Sequence, residues 1–275
     1  MCTLDGCGTH KNMPPIKLTD TDRRAFLAGA ITLPLATVLA FPEMAAAQGA
    51  KMTALEIPVG TGGIAQGVIA MPAKLPAPVV VLIHEWWGLN DQIKAMAVEL
   101  ANLGYIAYAI DLYEGEVATT PDEARALMNF IDEDDATSQL AAAVKHLREM
   151  EGSNGKVGTI GWCFGGGWSL KASIAAPVDA TVIYYGYVTS NAKKLSLLSG
   201  PVMGHFGDLD NWINKEMVGG FEQEMGKAGK DESLSVNWYA ADHAFANPSS
   251  ARYDAEDAAL AWSRTKAFFT ENLKG

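Results

Sequence analysis

The stretch Gly161-Trp162-Cys163-Phe164-Gly165-Gly166-Gly167 follows a short apolar run and decides the fold of this chain. A G-x-nucleophile-x-G turn between a strand and a helix folds back so sharply that the residues two before and two after the nucleophile must be small. Gly161 and Gly165 meet that need, and Cys163 stands at the nucleophile position. The pattern predicts a strand-to-helix elbow that carries a reactive thiol, with the backbone amide of Phe164 as an oxyanion donor.

Two polar clusters follow this elbow along the chain. Asp208 and Asp210 come after the apolar run Val202–Phe206, and His243 comes after the run Leu234–Tyr239. An elbow nucleophile of this kind takes its acid and then its histidine from later positions in the chain. Of the five histidines, only His243 follows both carboxylates. We therefore predict His243 as the base and Asp210 as the orienting acid, with Asp208 as the alternative acid.

Cys163 also has other interpretations. It could be a buried structural cysteine or an oxidisable redox thiol, but Cys2 and Cys7 fall in the N-terminal leader, so no resolving cysteine remains in the predicted mature chain. We expect no cofactor. The run Gly165-Gly166-Gly167 departs from the G-x-G-x-x-G nucleotide motif, and the candidate polar residues lack a metal-ligand spacing such as H-E-x-x-H.

Outward from the elbow, short β-rich runs alternate with amphipathic helical segments, which predicts an α/β fold with a mostly parallel sheet of about eight strands and helices on both faces. Apolar residues at helical spacing predict helices around Leu100, around Leu140 and over the C-terminal stretch ending at Leu273. The candidate strands are Leu55–Val59, Ile64–Ala70, Val79–His84, Tyr105–Ile110, Val157–Gly161, Ala180–Tyr185, Val202–Gly207 and Leu234–Tyr239.

Composition narrows the class of partner. The chain has 275 residues, 49% of them hydrophobic, which is enough for one large packed domain. The net charge of −11 disfavours nucleic acid and anionic membrane surfaces as partners. We expect a small-molecule substrate instead.

The N-terminal residues have the pattern of an export leader. Arg23-Arg24-Ala25-Phe26-Leu27 precedes an apolar run, 28–41, and then Ala45-Ala46-Ala47, an order that resembles a twin-arginine export signal. We expect residues 1–47 to be a cleaved signal recognised by the twin-arginine export machinery, residues 48–275 to form the domain, and the protein to be periplasmic or secreted. No stable membrane anchor is expected, because a spanning helix needs ~20 apolar residues. An uncleaved anchor or an N-terminal arm is the alternative.

Taken together, the motifs resemble the dienelactone hydrolase family, whose members have the α/β-hydrolase fold. The residues that carry the resemblance are His84-Glu85-Trp86-Trp87-Gly88, Asp111-Leu112-Tyr113, the Cys163 elbow, Gly207-x-x-Asp210 and His243-x-Phe245. The resemblance implies a carboxylic ester hydrolase that cleaves small esters or lactones through a Cys-His-Asp triad and a covalent thioester. A non-catalytic binding protein of the same fold is the alternative.

The resemblance also implies roles for further residues. Glu85 would contact the thiol, the amide of Trp86 would be the second oxyanion donor, and Trp87 and Tyr113 would contact substrate; core packing is the alternative for the two tryptophans. Family members that act on dienelactone hold its carboxylate with two arginines, and here Gly115 and Asn247 stand at those positions. Neither residue can form a guanidinium fork, so dienelactone itself is not the expected substrate.

Overall fold

A computed structural model describes residues 16–60 and 62–275, and residues 1–15, with Cys2 and Cys7 of the predicted leader, lie outside this range. The described chain contains an eight-stranded sheet of order β1-β2-β4-β3-β5-β6-β7-β8. Strand β2 runs antiparallel to both of its neighbours and every other pair is parallel. The strands are β1 (Thr53–Pro58), β2 (Ile64–Ala70), β3 (Ala77–Ile83), β4 (Ile106–Asp111), β5 (Ser153–Trp162), β6 (Ala180–Tyr184), β7 (Val202–Gly207) and β8 (Leu234–Tyr239).

The helices of the described residues flank this sheet, together with a 3-10 turn at Asp231–Ser233. They are α1 (Asp20–Leu27), α2 (Leu35–Ala40), α3 (Pro42–Gly49), α4 (Asp91–Asn102), α5 (Pro121–Phe130), α6 (Glu133–Glu149), α7 (Phe164–Ala175), α8 (Ala192–Leu195), α9 (Lys215–Lys227) and α10 (Ala255–Leu273). In the part of the chain that is described, no helix combines the length and the apolar character needed to cross a membrane.

Two apolar cores cover the two faces of the sheet, because the central strands are buried on both sides. All seven residues of β3 are buried. One core joins the sheet to α4 and α10 through side chains such as Leu100 and Phe269, and the other joins it to α6 and α7 through Leu140 and Trp168. The predicted α/β-hydrolase fold, with helices on both faces, is confirmed.

Helix ends agree with their sequence signals. Asp132 caps α6 and accepts hydrogen bonds from the amides of Asp134 and Asp135, so the acidic run 132–135 begins the helix. Gly104 has a φ of +92° just after α4, which is the left-handed conformation that ends a helix there. These local rules set where the loops at the site begin.

Residues 16–50, called the N-terminal segment below, form α1 to α3 and pack on α4. Met44 and Ala45 are fully buried, and a side chain at Gly49 would meet the Cβ of Lys94 at 2.9 Å, so α3 and α4 approach closely. Residues 1–47 are predicted to be a leader separate from the domain. In the structure, the described part of this leader packs against the domain. Cleavage after residue 47 stays a prediction.

Candidate active site

The elbow at Cys163 has the geometry that its glycines predict. Cys163 lies between β5 and α7 with φ +55° and ψ −117°, a backbone conformation that residues with side chains rarely adopt. A Cβ on Gly161 would collide with the carbonyl of Gly165, and one on Gly165 would collide with the carbonyl of Ile83. The amide of Cys163 donates to the carbonyl of Tyr184 at 3.0 Å, which ties the elbow to β6.

His243 and Asp210 meet this thiol in a line. The Nε2 atom of His243 lies 3.2 Å from Cys163 Sγ, and its Nδ1 atom lies 2.7 Å from Asp210 Oδ2. The second carboxylate oxygen of Asp210 accepts the amides of Trp212 and Ile213 at 2.8 and 3.0 Å. Asp210 therefore has a fixed orientation.

The alternative acid, Asp208, points elsewhere. Its carboxylate pairs with Lys215 Nζ at 2.8 Å, at an exposed position. Of the two carboxylates that the sequence left open, Asp210 is the one in contact with His243.

Charge in this cluster follows from the same contacts. Burial raises the pKa of Asp210, but the hydrogen bonds from His243 and from two backbone amides outweigh burial and hold the pKa below its ordinary value. Burial lowers the pKa of His243, but the charge on Cys163 and the bond to Asp210 outweigh it and raise the pKa to about 10. The contacts with Asp210 and Cys163 thus favour the imidazolium form of His243.

Trp212 covers this histidine, and sequence reasoning missed it. Its ring meets the His243 ring edge-on, with centroids 5.2 Å apart. The guanidinium of Arg252 lies 4.8 Å from the Trp212 ring on one side and 3.2 Å from Asp242, the residue before His243, on the other. Trp212 stands two residues after Asp210, and this position was the signal available in the sequence. The Trp212 ring, which is partly exposed, therefore packs against His243 in the wall of the cavity.

The loop after β3 carries Glu85, and His84 fixes that loop. His84 Nε2 accepts the amide of Leu112 at 3.1 Å, so its Nδ1–H donates to the carbonyl of Glu85 at 2.6 Å. The Glu85 side chain is buried and accepts from Asn247 Nδ2 at 2.8 Å. Burial raises the pKa of Glu85, and although His243 and Asn247 oppose this effect, the pKa reaches about 6. Glu85 can therefore change charge near neutral pH.

Two backbone amides are the predicted oxyanion donors. Phe164 is the first residue of α7, so no carbonyl within the helix can accept its N–H. Trp86 lies in the loop that also holds Glu85 and lines the same cavity as Cys163. One predicted donor thus begins the helix that follows Cys163, and the other lies on a loop in the wall of the cavity that Cys163 also lines.

A cavity of about 740 Å³ opens onto Cys163 and His243. Its walls include Trp86, Trp87 and Trp212 together with Val117 and Met128. Such a mainly apolar cavity with a few polar groups at one end is typical of a small-molecule site.

The two residues expected to contact substrate lie in different environments. Trp87 is in the cavity wall. Tyr113 is not among the lining residues; it is buried, and its ring packs against His84 and Phe164 with centroids 4.6 and 5.8 Å away. Tyr113 therefore supports the Glu85 loop and the elbow in this structure.

Among residues 16–60 and 62–275, no group of three or more His, Cys, Asp and Glu side chains is arranged to hold a metal ion. The polar residues at the cavity are joined to one another instead, as in the row Cys163, His243 and Asp210. This arrangement suits proton transfer between neighbouring side chains.

Comparison with known proteins agrees with this geometry. The model of the dienelactone hydrolase family matches residues 65–273. The chain belongs to this family. It is 32% identical over 216 residues to a carboxymethylenebutenolidase of Pseudomonas putida, covering 73% of this chain and 89% of the relative. It is 34% identical over 220 residues to a protein of Aquifex pyrophilus named Protein usf, covering 76% and 94%.

A solved structure extends the similarity to the fold. A dienelactone hydrolase-like promiscuous phosphotriesterase from metagenomic libraries superposes with a TM-score of 0.70 at 26% identity, covering 81% of this chain and 99% of the other. As a member of the dienelactone hydrolase family, the protein is a hydrolase that acts on esters or lactones, which confirms the enzyme class expected from the sequence.

This member of the dienelactone hydrolase family departs from the resemblance at the positions where substrate-binding arginines are implied. Gly115 is exposed, and Asn247 holds Glu85. Arg252 is buried against Trp212 and Asp242 and does not line the cavity. Arg125 does line it, at an exposed position where its guanidinium pairs with Asp122 at 2.9 Å. No guanidinium fork therefore stands at either expected position.

Proposed function

We propose that the protein hydrolyses small, uncharged esters or lactones through a Cys163-His243-Asp210 triad and a covalent thioester. The single observation that carries this proposal is the continuous row of contacts, 3.2 Å from sulfur to imidazole and 2.7 Å from imidazole to carboxylate, at the tip of a strand-to-helix elbow. Family membership supports the reaction class.

In the first half-reaction, the proton shared by the Cys163 and His243 pair stays on Nε2 of His243 and the sulfur attacks the carbonyl carbon. The carbonyl electron pair moves to oxygen, which the amides of Trp86 and Phe164 stabilise. When the C=O bond re-forms, the C–O bond of the ester breaks, and the leaving alkoxide takes the proton from His243. The product is an alcohol and a thioester on Cys163; from a lactone, the alcohol stays attached to the acyl group.

In the second half-reaction, water attacks the thioester. The charge on Cys163 is one of the causes that raise the pKa of His243, so acylation of the sulfur lowers this pKa and leaves more of His243 neutral and able to accept a proton. His243 takes a proton from water, the oxygen attacks the carbonyl carbon, and the C–S bond breaks. The thiolate recovers the proton from His243 and the carboxylic acid leaves.

Glu85 is proposed as a second proton acceptor for the thiol. It is buried near both Cys163 and His243, with a pKa of about 6, so above that pH its carboxylate can accept a proton. Activity at neutral pH would then need an ionised Glu85.

The substrate class follows from the cavity walls. Tryptophans and aliphatic side chains dominate them, and no guanidinium fork stands at the two positions that would hold a carboxylate. An uncharged acyl group therefore fits better than a carboxylate-bearing lactone. The same walls suit an uncharged phosphotriester, the activity for which the metagenomic relative is named, as a second candidate substrate.

The test is intact-protein mass spectrometry combined with turnover assays, using aryl esters, neutral lactones, a carboxylate-bearing lactone and a phosphotriester. We expect an acyl adduct and product burst on neutral esters that Cys163→Ala abolishes, and weak residual activity in Cys163→Ser. Turnover retained by Cys163→Ala would remove the thiol from the mechanism. If no substrate gives an adduct or turnover, the binding-protein alternative is favoured.

We further propose that the N-terminal segment contains a twin-arginine export signal and that the protein is periplasmic or secreted. The support is the order Arg23-Arg24, apolar run, Ala45-Ala46-Ala47. Cell fractionation with N-terminal sequencing tests this proposal. Replacing both arginines by lysine should retain the protein in the cytoplasm, and unchanged export would contradict the signal.

A further inference from the structure

We propose that the N-terminal segment is a working part of the catalytic site: it closes the space behind Glu85 with Leu39 and braces, through Gln92 and Ser249, the Asn247 amide that holds this carboxylate. The inference rests on the proposed role of Glu85 beside the Cys163 thiol. It assigns a positioning function to residues 16–50, so it requires that they stay attached to the domain, and it favours the uncleaved N-terminal arm over cleavage after residue 47.

The first support is a row of polar contacts, in which the single hydroxyl proton of Ser249 faces two acceptors, Asn247 Oδ1 and Gln92 Oε1. Gln92 Nε2 donates to the carbonyl of Leu39 at 2.8 Å, and Gln92 Oε1 lies 3.3 Å from the hydroxyl of Ser249. That hydroxyl and the amide of Ser249 also approach Asn247 Oδ1, at 2.7 and 3.0 Å. Asn247 Nδ2 then donates to Glu85 Oε2 at 2.8 Å. A backbone carbonyl of the N-terminal segment thus anchors the side chains that orient Glu85.

The second support is a small cavity of about 30 Å³ behind Glu85. Leu39 of the N-terminal segment lines it together with Glu85, Gln92, Asn247 and Tyr185. Leu39 thus places an apolar side chain of the docked segment beside this side of the carboxylate.

The third support is that the segment is held firmly on α4. Val38, Leu39 and Met44 are buried in the same apolar core as Met96, and Arg23 pairs with Glu43 at 3.1 Å across the segment. Leu39 is therefore held in place by packing on both sides of it in the chain.

The pKa of Glu85 should depend on whether the N-terminal segment is docked. The titratable groups that face it are His243, Cys163 and Tyr185, and burial is the largest influence on its pKa. Undocking the segment would let water reach Glu85 and lower its pKa toward 4.5. Loss of Gln92 alone would loosen Asn247, which favours the ionised form, and would move the pKa in the opposite direction.

The experiment uses the full-length chain and two pairs of variants. Leu39→Asp places a charge at a buried position to undock the segment, and Ile31→Asp adds the same charge at an exposed position. Gln92→Ala removes the brace, and Asn102→Ala removes an exposed amide from the end of the same helix. Hydrogen exchange of the α3 amides reports whether the segment has undocked.

Two readouts are taken from pH 4.5 to 8: kcat/KM on a neutral aryl ester, and the rate of Cys163 alkylation by iodoacetamide. We expect the acidic midpoint near 6 to fall in Leu39→Asp. In Gln92→Ala we expect it to rise by about half a pH unit, with kcat/KM lowered about threefold to tenfold. Both control variants should match the unmodified protein.

Unchanged midpoints in Gln92→Ala and in an undocked Leu39→Asp would overturn the inference. If Leu39→Asp does not fold, Gln92→Ala alone decides. Alkylation does not require turnover, so it separates the two proposals. If the proposed thiol mechanism is wrong, Cys163→Ala will retain turnover. If this inference is wrong, the pH midpoint of alkylation will be the same in the variants as in the unmodified protein.

Discussion

Two buried carboxylates flank His243, and they are held in different ways. Asp210, after β7, accepts two backbone amides as well as His243, and these bonds keep its pKa below the ordinary value. Glu85, after β3, has one side-chain amide as its hydrogen-bond donor, and burial raises its pKa to about 6. A carboxylate held by the backbone is a constant charge, whereas one held by a side chain in an apolar place can titrate near neutral pH.

Replacing Asp210, the carboxylate with the constant charge, should have the largest effect on kcat/KM. In Asp210→Asn the amide can no longer hold His243 in the tautomer and orientation that the thiol requires, so we expect kcat/KM to fall about 10³- to 10⁴-fold. Steady-state kinetics on an aryl ester measure this change. Asp208→Asn is the matched control, since Asp208 pairs with Lys215, and it should stay close to the unmodified rate. Equal losses in the two variants would erase the distinction between these neighbours.

The titrating carboxylate should give a smaller effect that depends on pH. Glu85→Gln removes a proton acceptor but leaves the triad, so we expect kcat/KM at pH 7 to fall about 10- to 100-fold. In the unmodified protein kcat/KM should rise with pH through about 6, where Glu85 ionises, and the variant should lack this rise. A variant with the same rate and the same pH profile would make Glu85 a structural residue.

The two carboxylates should change the free energy of unfolding in opposite directions as pH rises. Because the pKa of Glu85 is raised from 4.5 to about 6 by folding, the native state binds more protons in this range and loses about 2 kcal/mol as pH rises through it. Asp210, with a lowered pKa, contributes stability at neutral pH that is lost as pH falls.

Denaturant unfolding of Glu85→Gln at pH 4.5 and pH 7 tests this reasoning. The variant has no carboxylate to ionise at this position. We therefore expect its free energy of unfolding, relative to that of the unmodified protein, to increase by about 2 kcal/mol from pH 4.5 to pH 7. A constant difference between the two proteins would mean that Glu85 is not strained by its burial.

The smallest effect should come from Trp212→Leu. The backbone amide that holds Asp210 is retained in this variant, and only the ring over His243 is lost. We expect kcat to change less than about tenfold and KM for aromatic esters to rise severalfold, as one aromatic contact is removed. A loss as large as that of Asp210→Asn would show that the ring, and not the backbone, orients the acid.

The central sheet and the elbow could be predicted because each depends on local sequence. The apolar runs of β2, β7 and β8 have the predicted bounds, and Gly161 and Gly165 stand where the turn requires them. Strand β5 starts earlier than predicted, at Ser153, since its first residues are polar and exposed and carry no strand pattern. Pairing with β3 extends it.

Contacts between distant loops could not be predicted in the same way. Asp208 and Asp210 are two residues apart on one loop, and spacing alone does not say which of them faces His243. Asn247 reaches Glu85 across 162 positions of sequence. The apolar residues at Val38 and Leu39 suit a leader as well as a docking surface, so their packing on α4 required the structure.

The left-handed backbone at Cys163 has a consequence for folding. An L-residue held there costs about 1–3 kcal/mol, whereas glycine adopts such a φ freely. Cys163→Gly, which has no side chain to react, should therefore unfold at a higher temperature than Cys163→Ala. Under the proposed thiol mechanism, the native protein gives up part of its thermal stability to keep a reactive sulfur atom in the wall of the cavity.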